Sequence, residues 1–169
     1  TGSHRRVASD ATAADAADGA TDGVTSAANI QAQPDSYHFQ GGSYGAGYST
    51  SLEADVDGDA KADVVITAYG SQQRGEVSVI PATDLAAADA VDGNADGAID
   101  LSGITGRGTA FQVLGRSSSD SAKVFSPGDV DLDGRDDLLV GAPGADGGGW
   151  DSGEAYLLLA ADLAAADAA

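Results

Sequence analysis

Neither cysteine nor methionine occurs in this chain, aromatics make up 5% of it, and 8 Lys and Arg stand against 27 Asp and Glu. Each shortage closes off a class of function. Without Cys there is no disulfide framework, a state that fits the cytosol and a disulfide-free bacterial exoprotein alike. Of two histidines, His4 lies in a leader (residues 1–6) that reads as a vector remnant, and His38 sits between Tyr37 and Phe39 in a strand-like run. A nucleophile–base pair therefore has no evident base, no catalytic residue is assigned, and an enzyme is not expected. No run of about 18 apolar residues is present, so no membrane insertion is expected. A formal charge of −19 argues against nucleic acid and against electrostatic attachment to anionic membranes. The glycine-rich stretches 41–47 and 106–108 lack the Lys-Ser/Thr context of phosphate loops and read as turns.

What the chain does have is aspartate. Only Glu53, Glu76 and Glu154 are glutamates, leaving 24 Asp among the 27 acids. Asp is a turn and loop-ligand residue where Glu is a helix-surface one. Nine of these Asp fall in two stretches, Asp55-Val-Asp57-Gly58-Asp59-Ala60-Lys61-Ala62-Asp63 and Asp129-Val-Asp131-Leu-Asp133-Gly134-Arg135-Asp136-Asp137. Carboxylates at positions 1, 3, 5 and 9 of a tight loop repel one another unless a cation lies between them. Ca²⁺, with its flexible shell of 6–8 oxygens, meets that need. The expected ligands are the carboxylates of Asp55, Asp57, Asp59 and Asp63 with the Lys61 carbonyl, and those of Asp129, Asp131, Asp133 and Asp137 with the Arg135 carbonyl. An EF-hand would need a bidentate Glu at position 12, where Ile66 and Val140 stand. Asp136 is left out, because an extended chain would point it away from its neighbour Asp137. Asp92, Asp96 and Asp100 are read as a polar turn in preference to a third cation site. Two bound Ca²⁺ would bring the charge from −19 to −15.

The acidic stretches belong to a longer repeat. Their separation is 129 − 55 = 74, whereas the Asp-Leu-Ala-Ala-Ala-Asp segments at Asp84 and Asp162 lie 162 − 84 = 78 apart. The four added residues fall in the 146–151 loop, which carries Trp150, read as a cap over the core in preference to a ligand platform. A third echo, 15–23 against 89–97, places the chain inside a tandem array. The β-branched runs 63–68 and 75–80, matched by 137–142 and 153–159, read as strands. Weaker ones precede each acidic loop (47–53 and 122–127), and before those come 37–40 and 110–114, both containing Phe-Gln. The Ala-rich segments read as short helical turns with Asp84 and Asp162 as N-caps. About four short strands per repeat give an all-β chain of two tandem four-stranded antiparallel units resembling propeller blades. By phase the second blade lacks its own outer strand, and the lone strand near Phe39 is placed to pair with it. Otherwise open edges would drive association.

The run Gly128-Asp-Val-Asp-Leu-Asp-Gly-Arg-Asp-Asp-Leu-Leu-Val-Gly141-Ala142-Pro143, with Leu114-Gly115 where Phe-Gly would stand, resembles the FG-GAP repeat of integrin α-subunit β-propellers and many bacterial surface proteins. Repeat 1 is looser, with Thr67-Ala68-Tyr69 in place of Gly-Ala-Pro and Ala60 in place of the Gly134 equivalent. The resemblance implies Ca²⁺ in the loops, an extracellular or cell-surface setting, and a calcium-stabilised structural or adhesion module whose partner is a cell-surface protein or a glycan. A lectin-like binding module is the alternative, and a non-catalytic part of a secreted hydrolase ranks last. The expected division is a leader at 1–6, the tail of a preceding repeat or linker at 7–36, repeat 1 at 37–109 and repeat 2 at 110–169.

Overall fold

A computed structural model describes residues 36–41, 45–71, 74–104, 110–115 and 123–167, with four isolated positions between 13 and 19. The leader, most of the 7–36 segment with its echo of 89–97, and the Gly106-Arg-Gly108 turn lie outside the described residues. The chain is mostly β with antiparallel sheets, as its pattern predicts. Strands β1 (His38–Gln40), β2 (Ala46–Ser51), β3 (Val64–Ser71) and β4 (Arg74–Ile80) lead to a five-residue helix α1 (Leu85–Asp89). Then follow β5 (Ala98–Asp100), β6 (Phe111–Leu114), β7 (Lys123–Gly128), β8 (Asp137–Ala142), β9 (Glu154–Leu158) and α2 (Ala160–Asp167).

Sheet 1 runs in the order β2-β3-β4-β6 and sheet 2 in the order β7-β8-β9. The fourth strand of sheet 1 therefore arrives some 30 residues after the third, pairing Glu76 with Leu114 and Val79 with Phe111. Gln112 pins it there: its Nε2 donates to Glu76 Oε1 (2.8 Å), Ser78 Oγ (3.3 Å) and the Leu101 carbonyl (2.7 Å). Among the described residues sheet 2 has three strands. Pro127 is tolerated in β7 because that strand is an edge and the register slips between Phe125 and Gly128.

The period-2 alternation of β3 and β4 gives sheet 1 two apolar faces. One face, with Val65, Val77 and Val79, shares a cluster with Val124, Leu138, Val140 and Ala160 of repeat 2. The opposite face, with Val64, Ile66 and Ile80, packs on Ala88, Ile99, Leu101, Ile104 and Phe39. Sheet 1 is thus the middle layer, with sheet 2 on one side and the 85–104 segment on the other. Within sheet 1 the Tyr48 and Tyr69 rings meet edge-on at 5.4 Å, and from sheet 2 the Lys123 ammonium reaches to 5.7 Å from the Tyr48 ring centre.

Four expectations change. β1 does not join the last blade; it pairs in parallel with β5, His38 against Ala98 and Gln40 against Asp100, and Phe39 packs into the outer cluster. Residues 98–100 are accordingly a strand, where the sequence reads as turns. Asp84 precedes α1 but makes no side-chain capping bond, and α2 begins two residues ahead of Asp162. Trp150 caps nothing. Its side chain is 93% exposed, on the 143–153 connection between β8 and β9. That connection closes on itself through Gly153 N–H to the Ala145 carbonyl (2.9 Å), burying Ala145 and leaving the Trp outside.

Candidate metal centres

Each acidic loop is a sharp excursion between two strands, and the backbone bends into the left-handed region at its fourth and sixth positions. In loop 1 these are Gly58 (φ 79°) and Ala60 (φ 63°), and in loop 2 Leu132 (φ 64°) and Gly134 (φ 94°). The Cβ of Ala60 thus leaves the turn intact. The turns aim main-chain N–H groups at the leading carboxylate. Asp55 Oδ1 accepts from Gly58 (2.8 Å) and Asp59 (3.0 Å), and its Oδ2 accepts from Ala60 (2.8 Å). Asp129 does the same with Asp133 (3.0 Å) and Gly134 (2.8 Å). Asp57 and Asp131 each accept from the N–H of the position-5 Asp, and Asp59 and Asp133 from the N–H of Lys61 and Arg135.

Carboxylate oxygens of Asp55, Asp57 and Asp59 lie within 4.8 Å of one another, as do those of Asp129, Asp131 and Asp137. Oxygens so spaced can all touch one ion at 2.3–2.6 Å, and a carboxylate has about four acceptor sites, so the N–H bonds leave capacity for a cation. The donor set is all hard oxygen, which suits Ca²⁺. Asp63 and Asp133 fall outside these tight groups. On Asp59 a cation is already present: Lys61 Nζ donates to its Oδ2 at 2.5 Å. That bond holds the Asp59 carboxyl below its ordinary range and raises Lys61.

Position 9 has a role that the spacing alone did not reveal. Asp63 and Asp137 are fully buried. Asp63 Oδ2 accepts from Val56 N–H (2.8 Å) and its Oδ1 from Ala82 N–H (2.9 Å). Asp137 repeats this with Val130 (2.8 Å) and Ala160 (3.0 Å). Each carboxylate thus ties its loop to the segment leaving the last strand of the same unit. Burial pushes the Asp63 carboxyl up, and the two N–H bonds pull it back. Asp131 is also held up, first by loss of solvent and then by the charge of Asp133.

Asp96 and Asp100 accept from Ala98 and Ser102 N–H in local turns, and among the described residues they form no tight carboxylate group. His38 lies on an exposed strand face, where its Nδ1 pairs with Gln40 Nε2 at 3.3 Å.

A β-sheet unit with one acidic loop, present twice and stacked on its copy, defines a repeat module. Residues 46–80 and 124–158 match the family model of the FG-GAP repeat. The chain therefore carries two FG-GAP repeats, each match running from the strand before the acidic loop to the end of the third strand. As a family, FG-GAP repeats are structural, non-catalytic modules that commonly bind Ca²⁺ and occur in extracellular proteins. No curated protein and no solved structure matches the chain. Among the described residues no helix is long and apolar enough to cross a membrane.

Proposed function

We propose that the chain is a calcium-stabilised structural module of an extracellular or cell-surface adhesion protein, with one Ca²⁺ in each acidic loop. The observation that carries this reading is the convergence of three carboxylate oxygens, once in each FG-GAP repeat. The ligand sets are Asp55, Asp57, Asp59 and Asp63 with the Lys61 carbonyl, and Asp129, Asp131, Asp133 and Asp137 with the Arg135 carbonyl. Neutralising these loops fixes the start of β3 and β8, so binding free energy becomes folding free energy. Among the described residues no strand pairs with the outer edge of β9, and that edge is the proposed route to association.

Thermal unfolding by circular dichroism, after chelation and then with added Ca²⁺, tests this. At free Ca²⁺ about 100 times Kd each site adds about 2.7 kcal/mol. For a chain of this size two sites raise Tm by roughly 10–20 °C. A rise with Ca²⁺ and little with Mg²⁺ is expected. No rise, or an equal one with Mg²⁺, sinks the proposal.

A second reading, recognition of a protein or glycan, is favoured by Trp150. It is 93% exposed on a connection braced by Asp151 N–H to Asp146 Oδ1 (2.6 Å) and Gly148 N–H to Ser152 Oγ (3.0 Å). An aromatic face presented on a braced loop suits a sugar ring or an apolar side chain. A glycan array with wild type and Trp150→Ala separates this reading from a passive spacer.

A further inference from the structure

The two acidic loops touch. Asp136 N–H donates to the Asp55 carbonyl at 2.7 Å, and Asp136 Oδ2 accepts from Asp55 N–H at 3.0 Å. A two-point latch thus joins the eighth residue of loop 2 to the main chain of the first residue of loop 1. The loops also meet at Gly58, where a Cβ would lie 3.3 Å from Arg135 Cγ and 3.4 Å from the Gly134 carbonyl oxygen. The latch uses no carboxylate oxygen of Asp55, so that group stays directed into its own loop. Asp136 lies between Arg135 and Asp137, both in the proposed ligand set of loop 2. The eighth residue of loop 1 is Ala62, which has no side chain to reach a neighbour, so the latch runs one way along the chain.

We infer that the two calcium loops are energetically coupled, with Asp136 as the positioning residue through which one loop pre-orders the other. This inference rests on the calcium reading above. Fixing Arg135 and Asp137 fixes the backbone of Asp136, and through its two bonds the first ligand of loop 1 is held before its ion arrives. By linkage, loop 1 favours loop 2 by the same factor. The wild-type chain therefore takes up two ions cooperatively, although no ligand is shared.

Isothermal titration of Ca²⁺ into the chelator-stripped full chain tests this, with loop 2 blocked by Asp131→Ala plus Asp133→Ala. Blocking loop 2 is expected to weaken the loop 1 ion about fivefold or more, the lower end of ordinary coupling. In an Asp136→Ala background the same block leaves loop 1 unchanged. Asp136→Asn, which keeps an oxygen for Asp55 N–H, restores the dependence and shows that the bond, not the charge, carries it. Loop 1 affinity that ignores the block in the Asp136 protein, or follows it equally in Asp136→Ala, overturns the coupling while leaving the calcium sites intact. Absence of binding heat in the wild type at millimolar Ca²⁺ overturns the calcium reading itself, and the coupling with it.

Discussion

Strands β4 and β9 carry the same Gly-Glu pair near their starts, 154 − 76 = 78 residues apart, and each closes its repeat, yet they live in different surroundings. In β4, Glu76, Val77, Ser78, Val79 and Ile80 are all buried, whereas in β9 Tyr156 and Leu157 are 38% and 48% exposed. The difference comes from what covers them. β4 has β6 on its free edge, Ile99, Leu101 and Ile104 on one face and sheet 2 on the other. Among the described residues β9 has a partner on one edge, and Leu139 and Phe125 of the same sheet are exposed as well. A repeated sequence therefore does not guarantee a repeated environment, since each unit borrows its cover from outside its own 35-residue match. The first repeat is the anchored one and the second leans on it.

The largest expected effect concerns what the repeats share despite that difference. Asp63→Ala and Asp137→Ala each remove a buried carboxylate that accepts two main-chain N–H groups. An orphaned buried donor costs about 1–3 kcal/mol. Urea unfolding in excess chelator, where metal plays no part, is expected to show both variants destabilised by about 2–5 kcal/mol. A loss confined to Asp63→Ala would mean that repeat 2 is not folded tightly enough to need its brace.

Next in size is the contrast itself. Val79 is fully buried on the face that packs against sheet 2, and Leu157 holds the matching place in β9 at 48% exposure. Burying a Val side chain is worth about 1.5–3 kcal/mol, so Val79→Ala is expected to cost about 2 kcal/mol. Leu157→Ala, at a half-exposed site, is expected to stay within about 0.5 kcal/mol. Equal costs would place a cover over β9, and the hydrodynamic size of the wild type would then be the quantity to measure.

Those variants also mark where the sequence was readable. Strands rich in Val, Ile and Leu, such as Val64-Val-Ile and Leu138-Leu-Val, declare themselves locally, and so does a loop whose Asp spacing must be reconciled with charge repulsion. The edge on which a strand lands is not local. Phe39-Gln40 and Phe111-Gln112 look alike, but Gln112 finds Glu76, Ser78 and the Leu101 carbonyl, whereas Gln40 donates to His38 on an exposed strand. Asp136 was legible only as a residue turned away from its own loop, because its partner Asp55 lies 81 positions earlier. Trp150 misled for a related reason. A large aromatic ordinarily seeks cover, but its connection closes over Ala145 and gives the indole nothing to sit on.

The smallest expected effect tests the loops at their turning points. Each holds one non-glycine residue in the left-handed region, Ala60 in loop 1 and Leu132 in loop 2. That conformation costs an L-residue about 1–2 kcal/mol, and glycine gives back part of the gain through its freer unfolded chain. Ala60→Gly and Leu132→Gly are therefore each expected to stabilise by about 0.5–1 kcal/mol, a rise in Tm of roughly 1–4 °C. The reverse changes are where the loops should part company. At Gly134 a new Cβ meets nothing within 4 Å, so Gly134→Ala costs the backbone term alone, about 1 kcal/mol. At Gly58 the same methyl presses on Arg135 and the Gly134 carbonyl, so Gly58→Ala adds a steric cost and disturbs both loops. Equal losses for the two variants in a thermal melt would mean that loop 2 does not rest on loop 1 at Gly58, and the asymmetry between the repeats would then end at their strands.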